Sequence, residues 1–170
     1  MKLFKKLAAA ALAAVLALAM VGCGAKSTAD ELADIVMDTM KMEVGVDVDV
    51  QRANAVDQLA AKLAANIDKA EAGKDATVAD RLKDEKVLAA AGFKAEDLTD
   101  VHYLVSAVEN YQFKSAITTS KEKTEWMVRK LLRRPAGFGS GSAQLTKAEI
   151  GVTTAKIDGT EYLVVLIKMS

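Results

Sequence analysis

The chain has 170 residues but only one cysteine, one histidine, one proline and one tryptophan, and each scarcity closes off a class of explanation. A lone cysteine permits no disulfide within the chain, so the fold must be held by its apolar core. A lone histidine cannot alone furnish the three or four ligands that a zinc site needs. One proline and ten glycines leave few breaks, which predicts long regular elements. Neither sign of charge dominates, because 23 Lys and Arg oppose 23 Asp and Glu. No basic excess recruits nucleic acid, and no acidic tail points to disorder. The main apolar run, Leu7 to Val21, falls short of the roughly twenty residues that span a bilayer.

That run is nevertheless the most informative segment present. Lys2, Lys5 and Lys6 give it a positive start, and small Gly22 separates it from Cys23. The order is that of a secretory signal. Met20-Val-Gly-Cys23 resembles the lipobox of bacterial lipoproteins, with methionine where leucine is usual. The resemblance implies lipidation of the Cys23 thiol, removal of residues 1–22 and a mature chain that begins at Cys23. Two acyl chains anchor stably where one binds only marginally. The expected location is therefore extracytoplasmic, on a bacterial cell membrane. Without the three signal lysines, 20 basic residues face 23 acidic ones. The organisation reads as a signal peptide over 1–22, a lipidated tether over 23–27 and one domain over 28–170, a size that suits a single core.

Along the mature chain, Thr28-Ala-Asp-Glu31 reads as a capping box before a helix carrying Leu32, Ile35, Val36 and Met40. Valines alternate from Val44 to Val50, which reads as a short strand or an extended loop. Asp47 and Asp49 there are too few for a calcium loop and suit turn and capping roles. Val56, Leu59, Ala60, Leu63, Ala64, Ile67 and Ala70 predict a long amphipathic helix over about 50–72, which Gly73 can end. A second helix is expected over about 77–91, closed by Gly92. Residues 97–109 alternate like a strand, although their length also fits a helix. Thr119-Ser-Lys-Glu122 reads as a capping box for a helix that buries Trp126 and ends before Pro135. A glycine- and serine-rich loop, 136–144, carries Phe138 either as a binding aromatic or docked on the core. The chain closes with a hairpin through Asp158-Gly159, a preferred type I′ pair. The apolar run Tyr162–Ile167 suits a central strand covered on both faces. The sum is an α+β fold, an α-β-α sandwich with a small, mainly antiparallel sheet.

Candidate chemistry is sparse. His102 and Glu109 would share a face on a helix but not on a strand. Ser106 beside His102 lacks the context of a nucleophile elbow. Arg129, Lys130, Arg133 and Arg134 form a basic stripe that suits anionic headgroups or wall polymers, or simply a solvated helix end.

Four stretches together resemble the CAP superfamily (cysteine-rich secretory proteins, antigen 5 and pathogenesis-related proteins). They are Gly73-Lys-Asp with Ala79-Asp-Arg-Leu82 and Ala91-Gly-Phe93, then Glu109-Asn110, then Trp126-Met127, then Glu149-Ile-Gly-Val152 with Asp158-Gly159 and Tyr162. The resemblance covers about 50–170 and implies an α-β-α sandwich with a central cleft. Many members hold a divalent metal there with two histidines and two glutamates. Here Val128-Arg-Lys-Leu-Leu-Arg-Arg-Pro135 replaces the histidine-bearing string after Trp-Met, and residues 60–80 contain no histidine. Only Glu109 carries over, with Asn110 as a further cleft contact, so the metal centre is expected to be degenerate. No cofactor is expected. The reading is a lipid-anchored envelope protein that binds a lipid, a wall polymer or a protein. An envelope hydrolase with paired carboxylates among Glu96, Asp97, Asp100 and Glu109 is one alternative, and a structural lipoprotein is another.

Overall fold

The computed structural model describes residues 26–44, 48–93, 102–132 and 146–170. Residues 1–22, expected to be a signal peptide, lie outside the described residues, as do Cys23, Asp47, Glu96, Asp97, Asp100, Arg133, Arg134, Pro135 and Phe138. In chain order the elements are α1 (Thr28–Val44), β1 (Asp49–Arg52), α2 (Asn54–Ala65), a 3₁₀ turn (Ile67–Lys69), α3 (Val78–Leu82), α4 (Glu85–Ala91), β2 (His102–Glu109), α5 (Asn110–Thr119), α6 (Lys121–Leu131), β3 (Lys147–Ile157) and β4 (Thr160–Met169). Four strands form one sheet in the order β1-β3-β4-β2. β4 pairs antiparallel with both β2 and β3, and β1 adds a parallel edge to β3.

The hairpin follows from its turn residues. Asp158 (φ 48°) and Gly159 (φ 87°) both take the positive φ that a type I′ turn demands. β4 is central, and its side chains divide by parity. Leu163, Val165 and Ile167 enter one core, whereas Val164 and Leu166 enter the other. The first core is covered by α1, α5 and α6 through Leu32, Val36, Phe113 and Val128. The second lies under α2, α3 and α4 through Val56, Leu63, Leu82 and Val87. The architecture is thus helices on both faces of a small mixed sheet, an α+β fold with a C-terminal hairpin.

Several boundaries differ from the sequence expectation, each for a physical reason. The cap of α1 sits one residue early. The Ser27 hydroxyl accepts from the Asp30 N–H (3.2 Å), and the Asp30 carboxylate accepts from Ser27. Residues 50–72 are not one helix. Residues 49–52 pair with β3, extended Ala53 turns the chain, and α2 starts only at Asn54. The expected helix over 77–91 is two. Thr77 caps α3 by accepting from the Asp80 N–H, and Asp84 caps α4 by accepting from the Lys86 N–H. Gly92 then closes α4 in a left-handed conformation, with the Phe93 N–H bonded back to Leu88. Ser120 rather than Thr119 caps α6, accepting from the Lys123 N–H.

Trp126 is the clearest correction. It is 61% exposed, whereas Thr124 and Val128 of the same helix are buried. The helix turns the 124/128 face inward, with Met127 and Leu131 packed at its margin. The indole is left outside, with the Lys130 Nζ 4.6 Å from its ring centroid.

Gly151 fixes how closely the α2 layer approaches the sheet. A Cβ there would lie 2.2 Å from the Val56 carbonyl carbon and 2.4 Å from the Asp57 nitrogen. Only a residue without a side chain admits the start of α2. β1 ends opposite Ile150, and the next exposed N–H of β3 is met by a side chain instead: the Asp57 carboxylate accepts from Val152 N–H at 2.7 Å.

Candidate functional site

A cleft of about 460 Å³ opens where α3, the end of β2, the first turn of α5 and the β3–β4 turn converge. Its polar lining includes Lys74, Arg81, Glu109, Gln112, Asp158 and Tyr162. It lies on the α2–α4 side of the sheet, because Tyr162 and Ala107 pack with that layer.

Each polar group is placed by the fold. Arg81 follows Val78 by three residues and precedes Leu82, so α3 carries its guanidinium inward with its apolar face. The side chain is only 4% exposed and is therefore a nearly buried cation. Its partner is Asp158, with Asp68 at 3.8 Å as a second, outer carboxylate. Asp158 also pairs with Lys74 at 3.4 Å. The Arg81 guanidinium holds the Asp158 carboxyl below the usual aspartate range, and Lys74 adds to the effect. One aspartate thus closes the hairpin turn and neutralises the buried cation.

Glu109 ends β2 and stands directly opposite Tyr162 in the β2–β4 register. It accepts from the Gln112 side-chain amide at 3.0 Å, one turn into α5. Burial raises the Tyr162 phenol, and the nearby charges of Glu109 and Asp158 raise it further. That phenol stays protonated and available as a donor through neutral pH.

The sequence-predicted residues are distributed unevenly. Glu109 lines the cleft; Asn110 is buried next to it but does not line it. Asn110 donates to the Glu161 carboxylate, and its own Oδ1 has no partner among the described residues. Positions 102 and 109 bound one strand, at roughly 3.3 Å per residue, and so lie more than 20 Å apart. Arg129 and Lys130 are exposed on α6, on the opposite side of the sheet from the cleft. Sequence reasoning gave no cleft role to Arg81, Lys74, Gln112 or Tyr162. One signal existed: an arginine at the inward position between Val78 and Leu82 must find a carboxylate.

The metal centre implied by the CAP resemblance does not fit these residues. Of the two cleft carboxylates, Asp158 is already engaged by Arg81 and Lys74. Among the described residues no three His, Cys, Asp or Glu side chains converge as a ligand set. What the arrangement offers is a near-neutral recess with fixed donors and acceptors. Compared with protein-family models, curated proteins and solved structures, the chain matches none.

Proposed function

We propose that the chain is a lipid-anchored, extracytoplasmic envelope protein whose CAP-like domain, lacking that family's metal centre, binds a ligand in the Glu109 cleft. The cleft lining is the observation that carries the binding part. Two cations, two carboxylates, an amide and a phenol balance in charge and can both donate and accept. Such a set suits a polar, hydroxyl- and amide-rich ligand such as a wall-polymer segment better than an acyl chain. The lipobox-like Met20–Cys23 string supports the anchoring part.

The hydrolase alternative needs one carboxylate kept protonated as a general acid. Asp158 runs the other way, because Arg81 stabilises its ionised form. Glu109, the one carboxylate of that alternative among the described residues, lines the same cleft.

Two measurements test the reading. Labelled fatty acid should enter the wild-type protein, which should partition into detergent, and Cys23→Ser should do neither. Muramidase-released glycan-strand fragments should shift amide resonances around the cleft, and Glu109→Gln should weaken their binding about tenfold. Fragments that bind equally well to Glu109→Gln, or that are cleaved, would overturn the binding-only assignment.

A further inference from the structure

The large apolar side chains that remain exposed among the described residues are Met42 (67%), Tyr111 (80%) and Trp126 (61%), on α1, α5 and α6 respectively. All three belong to the α1, α5 and α6 layer, in which the first turn of α5, with Tyr111, also borders the cleft. On α6 the indole is framed by cations. Lys121, Lys123, Arg129 and Lys130 are all exposed, against Glu122 and the half-buried Glu125. Lys121 is 3.7 Å from Glu125, which offsets part of that charge near the start of the helix. At the other end Arg129 follows Glu125 by four residues, and beyond Glu125 the helix carries no further acidic residue to offset Lys130.

An exposed tryptophan with Lys130 over its ring and Lys123 and Arg129 three residues to either side has the composition of a membrane-interface contact. The ring sits at headgroup level while the cations reach lipid phosphates, each adding attraction. Tryptophan with arginine also marks protein-facing hot spots, so the length of the tether decides the occupant. The tether supplies the occupant. Only four residues separate Cys23 from Thr28, so even a fully extended tether reaches roughly 17 Å. A domain held that close meets the bilayer at high effective concentration. α1, which the tether enters, packs against α6.

We propose that the outer face of α6, with Trp126 as the inserted side chain and Arg129 and Lys130 as phosphate contacts, docks on the anionic surface of the membrane that anchors the protein. This rests on the lipid-anchoring reading above and adds an orientation to it. Docking through α6 turns the Glu109 cleft away from the bilayer, toward material beyond it.

The test uses residues 24–170, which contain every core residue from Leu32 to Met169 and hence the whole fold. Trp126 is the chain's sole tryptophan and reports directly. Its emission should shift to the blue on vesicles of mixed phosphatidylglycerol and phosphatidylcholine, should not shift on pure phosphatidylcholine, and should return with added salt. Arg129→Gln with Lys130→Gln, both on the surface, should weaken vesicle binding about thirtyfold. No shift on the anionic vesicles would overturn the proposal, as would a shift equal on neutral ones. A shift that grows with protein concentration alone, alongside dimers in sedimentation, would reassign the face to self-association and overturn it too. The assayed chain carries no lipid, so its failure leaves Cys23 modification standing. Conversely, an unmodified Cys23 in cells leaves the vesicle result intact.

Discussion

The two helical layers cover the same sheet by different means. The α2–α4 layer is seated on a glycine, with its start in near contact with β3, and is pinned by polar groups: Asp57 on the Val152 N–H, and Arg81 on Asp158. The α1, α5 and α6 layer rests chiefly on apolar packing through Leu32, Val36, Phe113 and Val128, with Asn110 bonded to Glu161 at its edge, and keeps Met42, Tyr111 and Trp126 outside. Polar pins fix geometry at fixed positions, which is what a recess with oriented donors requires. Apolar packing leaves the outward face free to vary, and there an aromatic and its cations can be displayed at little cost to the core. Arg52 joins the layers at the β1 edge, pairing with Asp30 of α1 and with Asp57 of α2 at 3.2 Å.

The difference breaks most sharply at Gly151. Gly151→Ala sets a methyl against the Val56 and Asp57 backbone, which cannot swing aside as a side chain could. A shift of α2 would also loosen the Asp57 contact to Val152 N–H. The expected loss is about 3 kcal/mol in urea unfolding. Gly73, with nothing within 4 Å, serves as the control, and Gly73→Ala should change stability by no more than about 0.5 kcal/mol. If Gly151→Ala proved as mild as its control, the idea of a closely seated layer would fail.

Part of this asymmetry can be read from residues alone. The Asp-Gly turn, the doubly covered apolar run of β4 and the alternation of β2 are local patterns, and local patterns survive folding. β1 is legible only where the valine alternation reaches Val50, because its four residues bury only Val50 and gain strand identity from pairing with distant β3. α5 carries too little periodic signal to stand out, since it buries Asn110, Phe113 and Ala116 amid polar neighbours. Trp126 misleads because bulk and hydropathy argue for burial, whereas the 124/128 stripe decides which face turns in. Of the cleft, Glu109 is legible by resemblance. The Arg81–Asp158 pair that lines the cleft joins residues 77 apart in sequence, which meet only through the hairpin.

Acid should act first on the polar pins. Asp158 lies below the usual aspartate range through Arg81, Asp84 through the Glu71 N–H, and Asp30 chiefly through Ser27. A carboxyl lowered in the folded state binds its proton more weakly there than in the unfolded chain. Its contribution is therefore complete above the unfolded value, about 3.9, and is lost as pH falls through the lower folded one. Thermal melts should stay nearly level from pH 7 to about 5 and decline below about 4. Asp158→Asn should lower the melting temperature at neutral pH and flatten that decline. A mutant whose acid decline matched the wild type would show that the Arg81–Asp158 pair is not what pins the cleft.

The smallest expected change sharpens the comparison from the other side. Trp126 touches solvent and Lys130 rather than the core, so Trp126→Ala should move the unfolding free energy by no more than about 0.5 kcal/mol. Val128, two residues on and fully buried against α1 and the sheet, should lose about 2 kcal/mol as Ala. A tryptophan held in place by stability would show the reverse ranking. If the small residue proves structural and the largest aromatic dispensable to folding, the indole is kept on the surface for what it meets there, and vesicle binding is where its loss should register.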